Sequence, residues 1–282
     1  MTSTNNTKVT FARTDRATAT ASLFRPITRG KRPIGLKVFA DYDETKLTFT
    51  SYEWLDSRDQ TILLALIGMA GIESVNITSE ASGEIGKKLW AGLNPMNSAL
   101  GDYGAVVETT LYKLLQASGM PDDTKTYARV REILERLSMV NCTARSDGWQ
   151  WSMRFLSYAF HDDGSLVVAL NARFAQALTQ GSTYARINLE ERRSLENDVS
   201  QLVHSWLNAT VRAGNTFQIG LDKLAFKIWG VEPQSASTLT TRRANVTKAL
   251  KEISTLKGWK ISFRGRGVDT IATIKRPKML GF

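Results

Sequence analysis

The chain is poor in the residues on which most catalytic and metal chemistry depends. Its 282 positions hold one cysteine, Cys142, and two histidines, His161 and His204. A single thiol cannot close an intramolecular disulfide and fits a reducing compartment. With only two separated imidazoles beside it, the ligand set of a zinc site is not met. No histidine pair stands next to a tyrosine, as a rolling-circle nicking enzyme requires. No Gly-x-x-x-x-Gly-Lys stretch occurs either, because Gly30-Lys31 and Gly86-Lys87 lack a glycine five residues earlier, which argues against a Walker-type ATPase. The longest apolar run, TILLALIGMAG at 61–71, is too short to span a bilayer. The start, MTSTNNTKVTFARTDRATATAS, has no apolar core of the kind a secretory signal carries. Paired acids at 122–123 and 162–163 sit in turn contexts, and His204 falls in an amphipathic helical run where packing explains it better than catalysis. The expectation is a cytoplasmic protein that is not an enzyme, with no cofactor and no metal.

Positive charge, in contrast, is abundant and unevenly placed. The formal net charge is +10, and 42% of residues are hydrophobic, which suits a globular chain of one large or two ordinary domains. Residues 235–282 hold eleven Lys/Arg against Glu252 and Asp269, a balance of +9 in the last 48 positions. The same segment carries apolar periodicity, so the charge rides on a folded element rather than on a solvated tail.

Residues 1–22, rich in Ser, Thr and Asn, read as a disordered tail. Alternation over 34–52 predicts a β-hairpin, and Ser57 with Gln60 predicts a capping box for a helix ending near Gly71. The Gly- and Ser-rich stretch 72–104 reads as a loop with a short strand or two. AVVETTLYKLLQASG (105–119) reads as a helix stopped by Gly119. TKTYARVREILERLSMV follows, with Val130, Leu134 and Leu137 on one face. Two extended runs, NCTA and WQWSMRFLSYAF, flank a hairpin turn at Arg145-Ser146-Asp147-Gly148. SLVVAL then reads as a strand and NARFAQALTQG as a helix. In the remainder, LEERRSLENDVSQLVHSWLNATV predicts one long helix, TFQIG a strand, and LDKLAFKIWG a helix stopped by Gly230. A helix with Val246, Leu250 and Ile253 inward comes next, then strands at 259–263 and 268–274 around Arg264-Gly265-Arg266-Gly267.

The two halves share an order of parts. LYKLLQASG matches LDKLAFKIWG through Leu-x-Lys-Leu, and at an offset of 116 the apolar triad 130/134/137 falls on 246/250/253. Helix, turn, amphipathic helix and hairpin together describe a winged helix. The predicted fold is therefore α+β, an internal duplication of two tandem winged-helix domains at 23–182 and 183–282, the second more basic. In such a unit the second helix enters the DNA major groove and the hairpin contacts backbone or minor groove. With the apolar triad inward, the second unit points Thr241, Ala244, Asn245 and Lys248 outward, flanked by Arg242 and Arg243. Its hairpin tip offers Arg264 and Arg266. In the first unit the same geometry exposes Lys125, Ala128, Arg129 and Glu132. Arg131 on the same helix and Arg145 on the hairpin turn complete the candidate DNA contacts.

Five stretches, LFRPITRGKRP (23–33), LALIGMAG (64–71), LVVALNARFAQAL (166–178), ARINLEE (185–191) and TTRRANVTKAL (240–250), carry a further likeness. From about Leu23 to Pro277 the chain resembles the RepC-type replication initiators of broad-host-range IncQ-like plasmids. The resemblance implies a protein that binds repeated sequences (iterons) in double-stranded origin DNA and helps open an adjacent AT-rich segment. It also implies a plasmid-encoded helicase and primase as partners; a homodimer is a further possible assembly. A winged-helix transcriptional repressor is the competing expectation. Two different recognition helices in one chain favour the initiator, since a repressor repeats one helix through dimer symmetry.

Overall fold

The computed structural model describes residues 9–27, 32–42, 44–81, 83–146, 148–179 and 184–278. In chain order, strand β1 (Phe11–Asp15) leads into a short helix α1 (Arg16–Thr20). A hairpin of β2 (Ile34–Tyr42) and β3 (Thr45–Glu53) precedes helix α2 (Ser57–Ala70). Then come β4 (Val75–Ile77), α3 (Glu84–Gly92), β5 (Met96–Asn97) and a 3-10 turn at Ser98–Gly101. β6 (Gly104–Thr110) runs into α4 (Leu111–Ser118) and α5 (Thr124–Ser138). β7 (Asn141–Ser146), β8 (Trp149–Arg154), β9 (Leu156–Phe160) and β10 (Ser165–Leu170) are followed by α6 (Ala172–Thr179). The second half has β11 (Tyr184–Asn188), α7 (Leu189–Arg193), α8 (Asp198–Thr210), β12 (Thr216–Gly220) and α9 (Leu221–Trp229). It ends with α10 (Ala236–Ile253), β13 (Lys260–Arg264) and β14 (Ile271–Lys275).

The α+β class stands, and among the described residues the strands form four antiparallel sheets, ordered β1-β11, β4-β6-β10-β9, β12-β14-β13 and β2-β3-β7-β8-β5. In each half three helices pack together, α2 with α4 and α5, and α8 with α9 and α10. The matched apolar triads, Val130/Leu134/Leu137 and Val246/Leu250/Ile253, are all fully buried. Gly119 (φ 71°) and Gly230 (φ 64°) both take the left-handed conformation after the first helix of each pair, the backbone position that favours glycine. The two hairpins differ. β7 and β8 lie inside the five-stranded sheet, whereas β13 is the edge of a three-stranded one.

Several expectations need correcting. Residues 1–8 lie outside the described residues, but residues 9–22, read as disordered, are folded. β1 pairs with β11 from Phe11↔Asn188 to Asp15↔Tyr184, and Asp15 caps α1 by accepting from Thr18 N (2.8 Å) while pairing with Arg173 (2.6 Å). The buried residues of β1 and α1 are Ala12, Thr14, Asp15, Ala17, Thr18 and Ala19, too small or too polar to give an apolar signal, and their partner strand lies far along the chain. This sheet also crosses the expected division at 182/183. At 105–119 the first part is strand β6, because Val106, Val107, Thr109 and Thr110 are β-branched and fit a pleated surface; only 111–118 is helical. Region 72–104 holds a helix, α3, besides its strands. The run 149–160 is cut at the buried Phe155, which sends β8 and β9 into different sheets. The long helix is broken at 194–197, where Asn197 caps α8 through Val199 N (2.9 Å). The capping box of α2 is Asp56 with Asp59, one residue earlier than read.

The halves are joined by a buried arginine. Arg192, on α7, donates from Nη2 to Ser57 O (2.9 Å) and Gln60 Oε1 (3.2 Å) of α2, and from Nε to Ser205 Oγ (3.1 Å) of α8.

Candidate nucleic-acid interface

Helix α10 begins at Ser235, whose Oγ accepts from Thr238 N (3.1 Å) and satisfies one of the free amides of the first turn. Its apolar stripe faces α8 and α9, and the opposite side presents Thr241, Ala244, Asn245 and Lys248 to solvent. Between α10 and β13 runs a groove of about 660 Å³, lined by Leu221 of α9, by Thr240, Arg243, Ala244, Thr247, Lys248 and Lys251 of the helix and by Phe263 and Thr270 of the hairpin. Small and polar residues on an exposed helix allow close approach to a groove floor, and an amide and an ammonium supply hydrogen bonds to base edges or phosphates.

The two arginines expected to flank this face lie about two turns into the helix, which begins at Ala236. Arg242 turns inward, whereas Arg243 lines the groove but is held by a carboxylate. Arg242 is 9% exposed; its Nη1 donates to Val231 O (2.6 Å) and its guanidinium lies over the Trp229 ring. Burial lowers its pKa below the usual arginine value. Arg243 makes a bidentate pair with Asp222, Nε to Oδ1 at 2.7 Å and Nη2 to Oδ2 at 2.8 Å, and that hydrogen bonding raises its pKa. Both fix α10 against α9 and the turn between them; helical position alone could not distinguish inward arginines from outward ones. Arg242→Ala should lower stability by about 1–3 kcal/mol, because Val231 O loses its donor, with DNA affinity of the folded protein nearly unchanged. Chemical denaturation beside a binding titration checks this.

The hairpin tip is longer than the sequence suggests: β13 runs through Arg264, and residues 268–270, expected in the returning strand, belong to a connection with a 3-10 turn at Gly267–Asp269 before β14. Arg264 and Arg266 are exposed. Gly265, at φ +81°, cannot be replaced without strain, because an added Cβ would strike the Asp269 carbonyl. Arg264 shares its face of the sheet with Ser262, Lys260, Thr273 and Lys275, cross-strand neighbours by register. Lys251, Lys260 and Lys275 were not singled out in the sequence. Lys251 was legible, three residues after Lys248 on the same helix face; the other two needed the strand register.

In the first half, Asp123 caps α5 by accepting from Thr126 N (2.8 Å), and Lys125, Ala128 and Glu132 are exposed. Arg129 is half-buried on the same side. Arg131 is exposed but stacks on the Phe160 ring, 4.2 Å from its centroid. Arg145 is exposed near the end of β7, opposite Lys46 and Gln150 in the sheet rather than on a projecting tip. Thus the candidates form two groups, one per half. The carboxyl-terminal group is the better exposed once Arg242 and Arg243 are removed.

Among the described residues there is no cluster of metal-ligating side chains and no helix long and apolar enough to cross a membrane. His204 is fully buried between Glu191 (2.8 Å) and Asn208 (3.1 Å), a packed residue. Burial pushes the Cys142 thiol up to about 12, which leaves it un-ionised.

The architecture is of the type seen in two crystal structures of domains 2 and 3 of RctB. The first aligns with a TM-score of 0.55 at 12% identity over 89% of this chain and 94% of that one. The second gives 0.53 at 12% identity over 93% and 96%. The Pi initiator protein in complex with iteron DNA aligns at 0.46, with 12% identity over 62% of this chain and 82% of that one. No curated protein sequence matches the chain. The profile of replication protein C (RepC) matches residues 6–278, and the chain belongs to that family.

Proposed function

We propose that this protein is a plasmid replication initiator that binds repeated origin DNA through two winged-helix units and catalyses no reaction itself. The observation that carries the reading is the solvent-facing side of α10, with Thr241, Ala244, Asn245 and Lys248 beside a groove whose far wall is a cation-bearing hairpin. Membership of the replication protein C family supports the replication role. In this reading α10 and α5 are the recognition helices, β13–β14 is a wing that grips phosphate, and origin opening and recruitment of a helicase and primase follow binding.

The roles separate by substitution. Asn245→Ala or Arg129→Ala should cost about 1–3 kcal/mol on the cognate repeat and relax preference at one base position. Arg264→Ala or Arg266→Ala should weaken all sequences alike and lower the salt slope by about one. Binding titrations on a repeat and on its point variants measure both. If the wing changes alter base preference while Asn245→Ala does not, the assignment is reversed.

Two recognition helices docking on one DNA face enter successive major grooves about 10 bp apart, so one chain should protect roughly two helical turns. The protected site should be asymmetric, because Lys125, Ala128, Arg129 and Glu132 present other chemistry than Thr241, Ala244, Asn245 and Lys248. A palindromic footprint that needs two chains would instead support a repressor.

A further inference from the structure

Away from the basic face, the outer side of the β4-β6-β10-β9 sheet is only half covered. Helix α3 packs over β9 and β10, where Ser157 Oγ donates to Leu89 O (2.5 Å). Beside it a cleft of about 1200 Å³ stays open, with Val106 and Val167 among its lining residues. Three apolar side chains that line it are left to solvent: Ile72 at 51%, Val75 at 71% and Ile85 at 42% exposure. These branched side chains around one open cleft offer apolar surface that an extended partner can cover.

The charge of this cleft runs against that of the protein. Among the described residues Glu73, Glu80, Glu108 and Asp163 line it, with Lys113 the one lysine or arginine beside His161, in a chain whose formal charge is +10. Glu73, Glu80 and Glu108 have no ion-pair partner among the described residues. Strand β4, which forms one margin of the cleft, pairs only with β6, so its other edge leaves backbone donors and acceptors unpaired by any strand among the described residues. Carboxylates repel a polyphosphate. They attract a cationic peptide, and a free strand edge adds main-chain hydrogen bonds to an extended one.

We propose that this cleft docks a segment of a partner protein in which lysines or arginines alternate with branched or aromatic apolar side chains. The apolar side chains cover Ile72, Val75, Ile85 and the Val106/Val167 floor, and the cations reach Glu73, Glu80 and Glu108. The surface is separate from α10 and its hairpin, so the same chain can hold DNA and a protein partner together.

The test uses the full chain and two pools of short fluorescein-labelled peptides. One alternates Lys or Arg with Val, Ile or Phe; the other replaces the cations by Glu or Asp. The basic pool should bind saturably by anisotropy and the acidic pool should not. Glu108→Lys and, separately, Glu80→Lys, which lies outside any helix or strand, should each weaken binding about tenfold or more. Lys248→Ala should leave peptide binding unchanged. Both charge-reversed variants should still bind origin DNA, so a failure here is distinguishable from a failure of the DNA-binding reading. Absence of saturable binding, equal binding of the two pools, or insensitivity to both reversals overturns the proposal. So does a concentration-dependent dimer of the protein alone that Glu108→Lys abolishes, since the occupant is then a second copy.

Discussion

Binding of duplex DNA should weaken by about 10³–10⁵ between 50 and 200 mM salt, as it does for proteins that make roughly 6–10 phosphate contacts. The structure identifies which cations can take part. Lys248, Lys251, Lys257, Lys260, Arg264, Arg266, Lys275 and Lys278 are all exposed. Arg242, Arg243 and Arg276 are already engaged within the protein, although Arg243 lines the groove. The first two are held by Val231 O and Asp222, and the third donates from Nη1 to Asn208 O and Val211 O, both at 2.6 Å, at the end of α8. Lys125 and Arg131 of α5 and Arg145 of β7 add to the exposed set. A filter-binding or anisotropy series across this salt range reads the slope directly. Removing Arg264 and Arg266 together should reduce it by about two, whereas removing Arg242 should not move it. A nearly flat dependence would mean that the +9 segment is solvated charge and nothing more.

How much of this was legible in the sequence depends on the range of the forces involved. α5, α9 and α10 announce themselves because a 3.6-residue apolar period and a glycine stop are local, and Val246, Leu250 and Ile253 are buried as read. The outward face of α10 follows from that same period. What failed depended on distant partners. β1 is a strand only because β11 lies beside it, and β6 is a strand because β10 and β4 flank it. Arginine is the clearest case within the candidate site. Its sequence position says that it is charged, but only the fold says whether a carbonyl or a carboxylate already holds it, as Val231 O holds Arg242 and Asp222 holds Arg243.

Asp59→Ala should destabilise the fold by about 3–5 kcal/mol. Asp59 is fully buried in the first turn of α2. One carboxylate oxygen accepts from Arg136 Nε of α5 (3.0 Å), and the other from Arg32 Nη1 (3.0 Å) and Asp56 N (2.8 Å). Arg32 also pairs with Asp56 (2.7 Å) and donates to Trp54 O (2.6 Å), so the cluster ties together the chain around β2, the end of β3, α2 and α5. Removing this acid leaves Arg136 with Glu53 alone at 3.9 Å and the Asp56 amide without its acceptor, while Arg32 keeps only Asp56 and Trp54 O, which costs more than the net worth of any one pair. The consequence reaches the interface, because Arg136 anchors the back of the helix whose outer side carries Lys125, Ala128 and Arg129. Urea denaturation should show a lower midpoint for Asp59→Ala with the slope unchanged. Asp59→Asn, which keeps the shape and one acceptor, should fall between it and the parent. A midpoint that does not move would show that the two arginines find water or other acceptors, and that α5 is held by Val130, Leu134 and Leu137 alone.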